Sequence, residues 1–73
     1  MDELKKALKE IYPDIDFENE TTLYDDGIID SVDVVNIISK LEETFDIAVT
    51  MEYIQPDYFQ SAATMWEMVE ELM

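Results

Sequence analysis

Residues 27–38 read GIIDSVDVVNII and mark the point at which a polar loop becomes an apolar helix. Asp and Ser are preferred at helix N-termini, because their side-chain oxygens accept hydrogen bonds from the first free backbone N–H groups. Ser31, which lies between Asp30 and Asp33, therefore stands at the start of a predicted helix. Three roles are open to it: a helix cap, a nucleophile, or a point of attachment for another group.

The helix that is predicted to begin at Ser31 has one apolar face. Its apolar positions recur at intervals of four, three and four residues, which is typical of an amphipathic helix: Val34, Ile38, Leu41 and Phe45. The charged residues between them fall on other faces. We expect a helix of about 15 residues.

A first helix is predicted upstream of this segment. Leu4, Leu8 and Ile11 share one face at helical spacing, Asp2 is a candidate cap, and Pro13 closes the helix because it cannot continue the hydrogen-bonding pattern.

The segment from Pro13 to Asp30 is predicted to be a loop of about 18 residues, long for so small a domain. Apolar side chains are expected to hold it against the core: Ile15, Phe17, Leu23, Tyr24 and Ile28. Gly27 is the only glycine, and we expect it to adopt a backbone conformation that other residues resist.

Two further elements are predicted after the central helix. Residues 46–50 form a linker whose apolar residues, Ile47 and Val49, point inward. Thr50 can cap a short helical turn over Met51–Ile54, which Pro56 ends.

The last predicted helix begins after Ser61 and has apolar residues at helical spacing: Ala62, Met65, Val69 and Leu72. Three main helices, one short third helix and a long loop between the first two predict an all-α fold, a small four-helix bundle. Residues 1–73 are expected to form a single domain.

The net charge of −15 is unevenly distributed. Residues 1–10 contain as many lysines as acids, whereas the rest of the chain holds 16 acids and a single lysine, Lys40. Such a surface repels nucleic acid and anionic membranes and attracts proteins with basic patches. The alternative is that the charge only keeps a small protein in solution.

The absence of cysteine and histidine excludes disulfides and the usual zinc, iron–sulfur and haem sites. The first ten residues, MDELKKALKE, lack the apolar run of a secretory signal, and no stretch is long enough to span a membrane. We therefore expect a cytoplasmic protein that does not insert into membranes.

Catalysis by Ser31 is not favoured. No histidine is present to take its proton, and Lys40 lies about 13 Å away along the predicted helix. Asp30 and Asp33 are expected to be solvated, with nothing to tune them for acid–base work. The position offers instead an anion site, because the first turn of a helix presents free N–H groups and the positive end of its dipole.

Two runs of this sequence resemble the acyl carrier protein superfamily. Asp26–Asp33, DGIIDSVD, is similar to the family's phosphopantetheine attachment site, and Leu41–Ile47, LEETFDI, is similar to a second run of the same family. The likeness extends over essentially the whole chain. It implies an acyl-carrier-protein-like four-helix bundle in which Ser31 bears 4'-phosphopantetheine.

The resemblance also implies partners. A phosphopantetheinyl transferase would modify Ser31 with the group from coenzyme A, and an acyl- or aminoacyl-loading ligase or synthase with a basic docking surface would load the thiol. The chain itself would not be an enzyme, and we expect a monomer. The residues expected at partner contacts are Asp30, Val32, Asp33, Asn36, Met51 and Ile54.

Departures from the family pattern bear on the cargo. Asn36 and Ser39 occupy positions where many fatty-acid carriers have an acidic residue and a methionine. The residues before Ser31 and the run Ile54–Ser61 look more like stand-alone peptidyl, aminoacyl or D-alanine carriers. Fatty-acid, polyketide, peptide and D-alanine pathways all stay open.

Two other functions compete with the carrier. Residues 14–25 partly imitate a calcium-binding loop, but Asn19 replaces the turn glycine and Asp25 the bidentate glutamate. The chain could also be an unmodified acidic adaptor that binds a basic partner through the helix beginning at Ser31. The adaptor would tolerate loss of the Ser31 hydroxyl, whereas the carrier would not.

Overall fold

The computed structural model describes all 73 residues and confirms the all-α class. Helix α1 spans Asp2–Ile11, α2 spans Ser31–Phe45 and α3 spans Ala62–Leu72. A 3₁₀ turn, Met51–Tyr53, lies where the short third helix was predicted, and a second 3₁₀ turn, Pro56–Phe59, follows it and was not predicted. None of the helices is both long enough and apolar enough to cross a membrane.

The core is built from one face of each α-helix, with loop residues closing it. Its members share burial of more than nine-tenths of their surface: Leu4, Leu8, Phe17, Leu23, Ile29, Val34, Ile37, Leu41, Phe59, Ala62, Met65, Met68 and Val69. The centre of the α2 face is Ile37, whereas Ile38 and Phe45, which the sequence pattern placed on that face, are half-buried. Ile47 and Val49 are half-buried against the core, as predicted.

The helix caps follow the sequence at α2 and α3 but not at α1. Ser61 caps α3 by accepting a hydrogen bond from the Thr64 N–H at 3.1 Å. The prediction that Asp2 caps α1 is wrong, because Met1 holds the N-cap position and accepts from Lys5 N–H, and no side chain caps this end.

The predicted short helix differs in detail from the structure. Thr50 holds the N-cap position of the first 3₁₀ turn, but its side chain makes no capping bond and donates to the Glu52 carboxylate instead. Pro56 does not end this turn. It begins the second one, where its fixed φ and missing N–H are tolerated.

The loop between α1 and α2 is held by Phe17 and Leu23, as predicted, and by Ile29 in place of Ile28. Ile28 is 38% exposed and Ile29 only 1%, so the prediction for Ile28 is wrong. The cause is the turn at Gly27, which has a φ of +74° as the sequence led us to expect. After this turn the Leu23 carbonyl accepts the N–H groups of both isoleucines.

Gln60, which follows the second 3₁₀ turn, forms hydrogen bonds with this loop. Its backbone carbonyl accepts the Leu23 N–H at 2.9 Å, and its side-chain Oε1 accepts the N–H groups of Tyr24 and Asp25, each at 3.1 Å. Its Nε2 donates to Asp25 Oδ1 at 3.0 Å. The chain that leads into α2 is thereby fixed next to residues 56–59.

Candidate functional site

Ser31 is the first residue of α2 and is exposed. The residues on either side of it form a capping box. Asp30 Oδ1 accepts the N–H groups of Val32 and Asp33, each at 3.0 Å, and Asp33 Oδ2 accepts the Asp30 N–H at 3.1 Å. The backbone around Ser31 is therefore fixed on both sides.

The capping hydrogen bonds do not involve the hydroxyl of Ser31, which makes no hydrogen bond within the chain. They also correct the predicted anion site. Two of the first-turn N–H groups that would bind a phosphate are occupied by the Asp30 carboxylate. The first turn of α2 therefore has fewer free N–H groups for a phosphate than the sequence pattern predicts.

No group of this chain is placed to activate the Ser31 hydroxyl. Lys40, the one lysine of α2, forms an ion pair with Glu10 of α1, with Nζ and Oε2 2.7 Å apart. The hydrogen bond to Glu10 raises the pKa of Lys40, so it stays a cation and cannot act as a base at neutral pH. The Ser31 hydroxyl is accessible to another enzyme, but no base of this chain is placed to make it a nucleophile.

An open groove with a volume of about 260 Å³ begins at Ser31. It runs between α2 and the segment that contains the second 3₁₀ turn. Its other lining residues are mostly apolar: Tyr24, Val34, Val35, Ile54, Gln55, Pro56 and Phe59. A flexible chain attached to Ser31 could lie along this surface.

Several large apolar side chains near the groove are exposed. Val35 and Ile54 line it and are 60% and 47% exposed, and Val32, which follows Ser31 directly, is 68% exposed. Met51, which does not line the groove, begins the 3₁₀ turn that precedes Ile54 and is 87% exposed. Exposed apolar side chains that lie close together are typical of contact surfaces for other proteins. Val35 was not among the residues predicted for partner contact, although its place one turn after Ser31 would have indicated it.

The structure adds Tyr12 to this region. Its hydroxyl donates to Asp33 Oδ1 at 2.6 Å and accepts a hydrogen bond from Asn36 Nδ2 at 3.1 Å. Burial, followed by the hydrogen bond to Asp33, raises the pKa of Tyr12. Asp33 and Asn36 were predicted to contact partners, and here their side chains also connect α2 to the end of α1.

The acidic residues of the loop do not come together. No group of three or more acidic side chains is arranged so that it could hold a metal ion. Asp16, which belonged to the partial calcium-loop pattern, accepts hydrogen bonds from the Asn19 side chain and the Glu18 N–H. The Asn19 hydrogen bond lowers the pKa of Asp16.

The sequence matches one protein family, described as "Phosphopantetheine attachment site", over residues 2–57. The match reaches from α1 into the second 3₁₀ turn and includes the whole capping box and most of the groove. No curated protein and no solved structure matches the chain.

Proposed function

The chain belongs to the family of phosphopantetheine attachment domains, and on that premise we propose that Ser31 is the residue that bears the group. Members of this family are carriers of 4'-phosphopantetheine and are not enzymes. When attached, the group supplies a thiol on which acyl groups are carried as thioesters. The observation that carries the proposal is the exposed, unbonded hydroxyl of Ser31 between two capped residues.

The surroundings of Ser31 fit such a group. Its hydroxyl is free to react, the capping box keeps the neighbouring backbone fixed, and the groove beside it offers an apolar surface to a long flexible arm. Ser39 is also exposed and lies on the same helix, but it lies outside this groove and is far from the capping box. It provides a matched control for experiments on Ser31.

Carrier domains of this family interact with phosphopantetheinyl transferases and with partner synthases. For this chain we place the partner contact on Val32, Val35, Met51 and Ile54, all of which are exposed and two of which, Val35 and Ile54, line the groove. The acidic residues of the rest of the surface favour a partner with a basic docking face. Location in the cytoplasm and a monomeric state stay predictions.

We place the cargo among aminoacyl or other short acyl groups. The core beneath the groove is filled by buried side chains, among them Phe59 and Ile37, which are 0% exposed. The groove itself is open and includes the polar Gln55. A short polar cargo can rest on such a surface, whereas a long alkyl chain needs an enclosed apolar space.

A loading assay tests this function. The modified protein is incubated with ATP and either aminoacyl-activating or fatty-acyl-activating ligases, and thioesters are detected as mass gains that hydroxylamine removes. We expect loading with an amino acid, and Ser39→Ala should load like the wild type. Loading with long fatty acids alone would contradict the proposed aminoacyl or short acyl cargo. A mass gain that persists in Ser31→Ala would contradict Ser31 as the attachment residue.

A further inference from the structure

Tyr12 lies at the end of α1, 19 residues before Ser31, yet hydrogen bonds connect it to the backbone on both sides of that serine. The connection begins at its hydroxyl, which donates to Asp33 Oδ1 at 2.6 Å. Asn36 donates to the same hydroxyl from the next turn of α2. The hydroxyl is therefore held from two sides and has one fixed orientation.

Asp33 carries the connection further, because its two carboxylate oxygens have different partners. Oδ1 accepts from Tyr12, and Oδ2 accepts from the Asp30 N–H at 3.1 Å. A carboxylate that receives a hydrogen bond at each oxygen cannot rotate without breaking one of them. Tyr12 thus fixes the Asp33 carboxylate, which accepts the N–H of Asp30, the N-cap residue of α2.

Asp30 completes the connection. Its own carboxylate accepts the N–H groups of Val32 and Asp33, so backbone N–H groups before Ser31, at Asp30, and after it belong to one hydrogen-bonded network. Ser31 is the only residue of this turn with a polar side chain that stays outside the network. The backbone that the network holds consequently fixes the Cα–Cβ bond of Ser31, and with it the small region that the hydroxyl can reach.

Other contacts hold α1 against α2 without the hydroxyl of Tyr12. Leu4 and Leu8 of α1 pack in the same core as Ile37 and Leu41 of α2, and Glu10 and Lys40 form an ion pair between the two helices. These contacts do not involve the capping box. The Tyr12 hydroxyl is protonated, and so a donor, at neutral pH, and burial raises its pKa further.

We propose that Tyr12 is a positioning residue for the modification of Ser31: through Asp33 it orders the N-terminal turn of α2, so that the Cβ of Ser31 and the hydroxyl it bears are held in one place for the modifying enzyme. This inference rests on the proposed function of Ser31. It assigns no contact between Tyr12 and the incoming group. Its effect is on the turnover of the modification, more than on the binding of the enzyme.

The test compares Tyr12→Phe with Glu10→Gln. The first removes only the hydroxyl, and the second weakens the other polar connection between α1 and α2 and leaves the capping box intact. The kinetics of modification by a phosphopantetheinyl transferase with coenzyme A are measured for both, together with the melting temperature and the exchange rates of the Val32 and Asp33 amide protons.

We expect Tyr12→Phe to lower kcat for the modification by about tenfold, the effect of losing one hydrogen bond to a charged group, with little change in KM. The Val32 and Asp33 amides should exchange faster. Glu10→Gln should retain the kcat of the wild type even if its melting temperature falls. Asp33→Asn should also slow modification, and combining it with Tyr12→Phe should add little, because both act on one bond.

Equal kcat for Tyr12→Phe and wild type would overturn the inference, and so would an equal loss in Glu10→Gln, which would indicate a general effect of helix docking. Failure of the proposed function has a different signature. In that case the wild type itself gains no mass at Ser31, whatever the variants do.

Discussion

Asp30 and Asp33 cap each other across the first turn of α2: the carboxylate of each accepts the backbone N–H of the other, at 3.0 and 3.1 Å. We predict that Asp30→Ala lowers the free energy of unfolding by about 1 kcal/mol, because two first-turn N–H groups lose their acceptor. Asp30→Asn keeps an acceptor oxygen and should lose much less. Urea unfolding of the two variants measures the difference, and equal losses would show that the capping geometry contributes nothing.

The turn at Gly27 gives a second prediction. A Cβ at this position would meet no atom within 4 Å, so Gly27→Ala creates no clash and its cost is the backbone strain of a φ of +74°. We expect a loss of about 1 kcal/mol of unfolding free energy, and a smaller loss for Gly27→Asn, which tolerates this conformation better. Thermal unfolding ranks the variants. An alanine variant as stable as the wild type would contradict the positive φ.

The Gln60 side chain gives a third prediction. Gln60→Ala removes three hydrogen bonds to Tyr24 and Asp25 and leaves two backbone N–H groups without their acceptor, so we expect a loss of about 1–3 kcal/mol in unfolding free energy. Amide exchange of residues 23–29 should accelerate. Gln55→Ala is the matched control, since its side chain donates one exposed hydrogen bond, to the Glu52 carbonyl. Comparable losses for both glutamines would contradict the role of Gln60.

The pH dependence of stability gives a fourth prediction. Burial and the Asp33 hydrogen bond raise the pKa of Tyr12 above its ordinary value of 10.0, so the folded state favours the protonated hydroxyl. This contribution is complete below pH 10 and is lost as the pH rises through the pKa of the folded state.

The stability difference between the wild type and Tyr12→Phe should therefore shrink above about pH 10. Urea unfolding at a series of alkaline pH values measures it. The pKa of Tyr53 is also raised, mainly by burial, so Tyr53 contributes to the same loss of stability at alkaline pH. The variant Tyr53→Phe measures that contribution separately. A difference that stays constant with pH would show that the Tyr12 hydroxyl does not titrate with folding.

The helices could be predicted from the sequence because local rules decide them. The 15 residues of α2, the cap at Ser61 and the positive φ at Gly27 all follow from side-chain preferences that act within a few residues. The boundaries of α1 and of the short third element were less accurate. There the choice between neighbouring caps, or between one helical turn and two, depends on contacts with the rest of the fold.

The site could be predicted only where it is contiguous in sequence. Asp30 and Ser31 lie together where the helix begins, so a cap beside the serine could be anticipated, whereas the second capping bond, from the Asp30 N–H to Asp33, was not predicted. Tyr12 could not, because its hydrogen bond to Asp33 joins residues 21 positions apart. The exchange of Ile28 for Ile29 in the core has a local cause, because the turn at Gly27 shifts by one residue which isoleucine points inward.

The most direct measurement is the mass of the protein after incubation with a broadly active phosphopantetheinyl transferase, magnesium and coenzyme A, followed by fragmentation to locate the added group. We expect a gain of one phosphopantetheine, located on Ser31, in the wild type and in Ser39→Ala, and no gain in Ser31→Ala. A gain that maps to another residue, or no gain with a transferase that modifies a known carrier in the same tube, would contradict Ser31 as the attachment site.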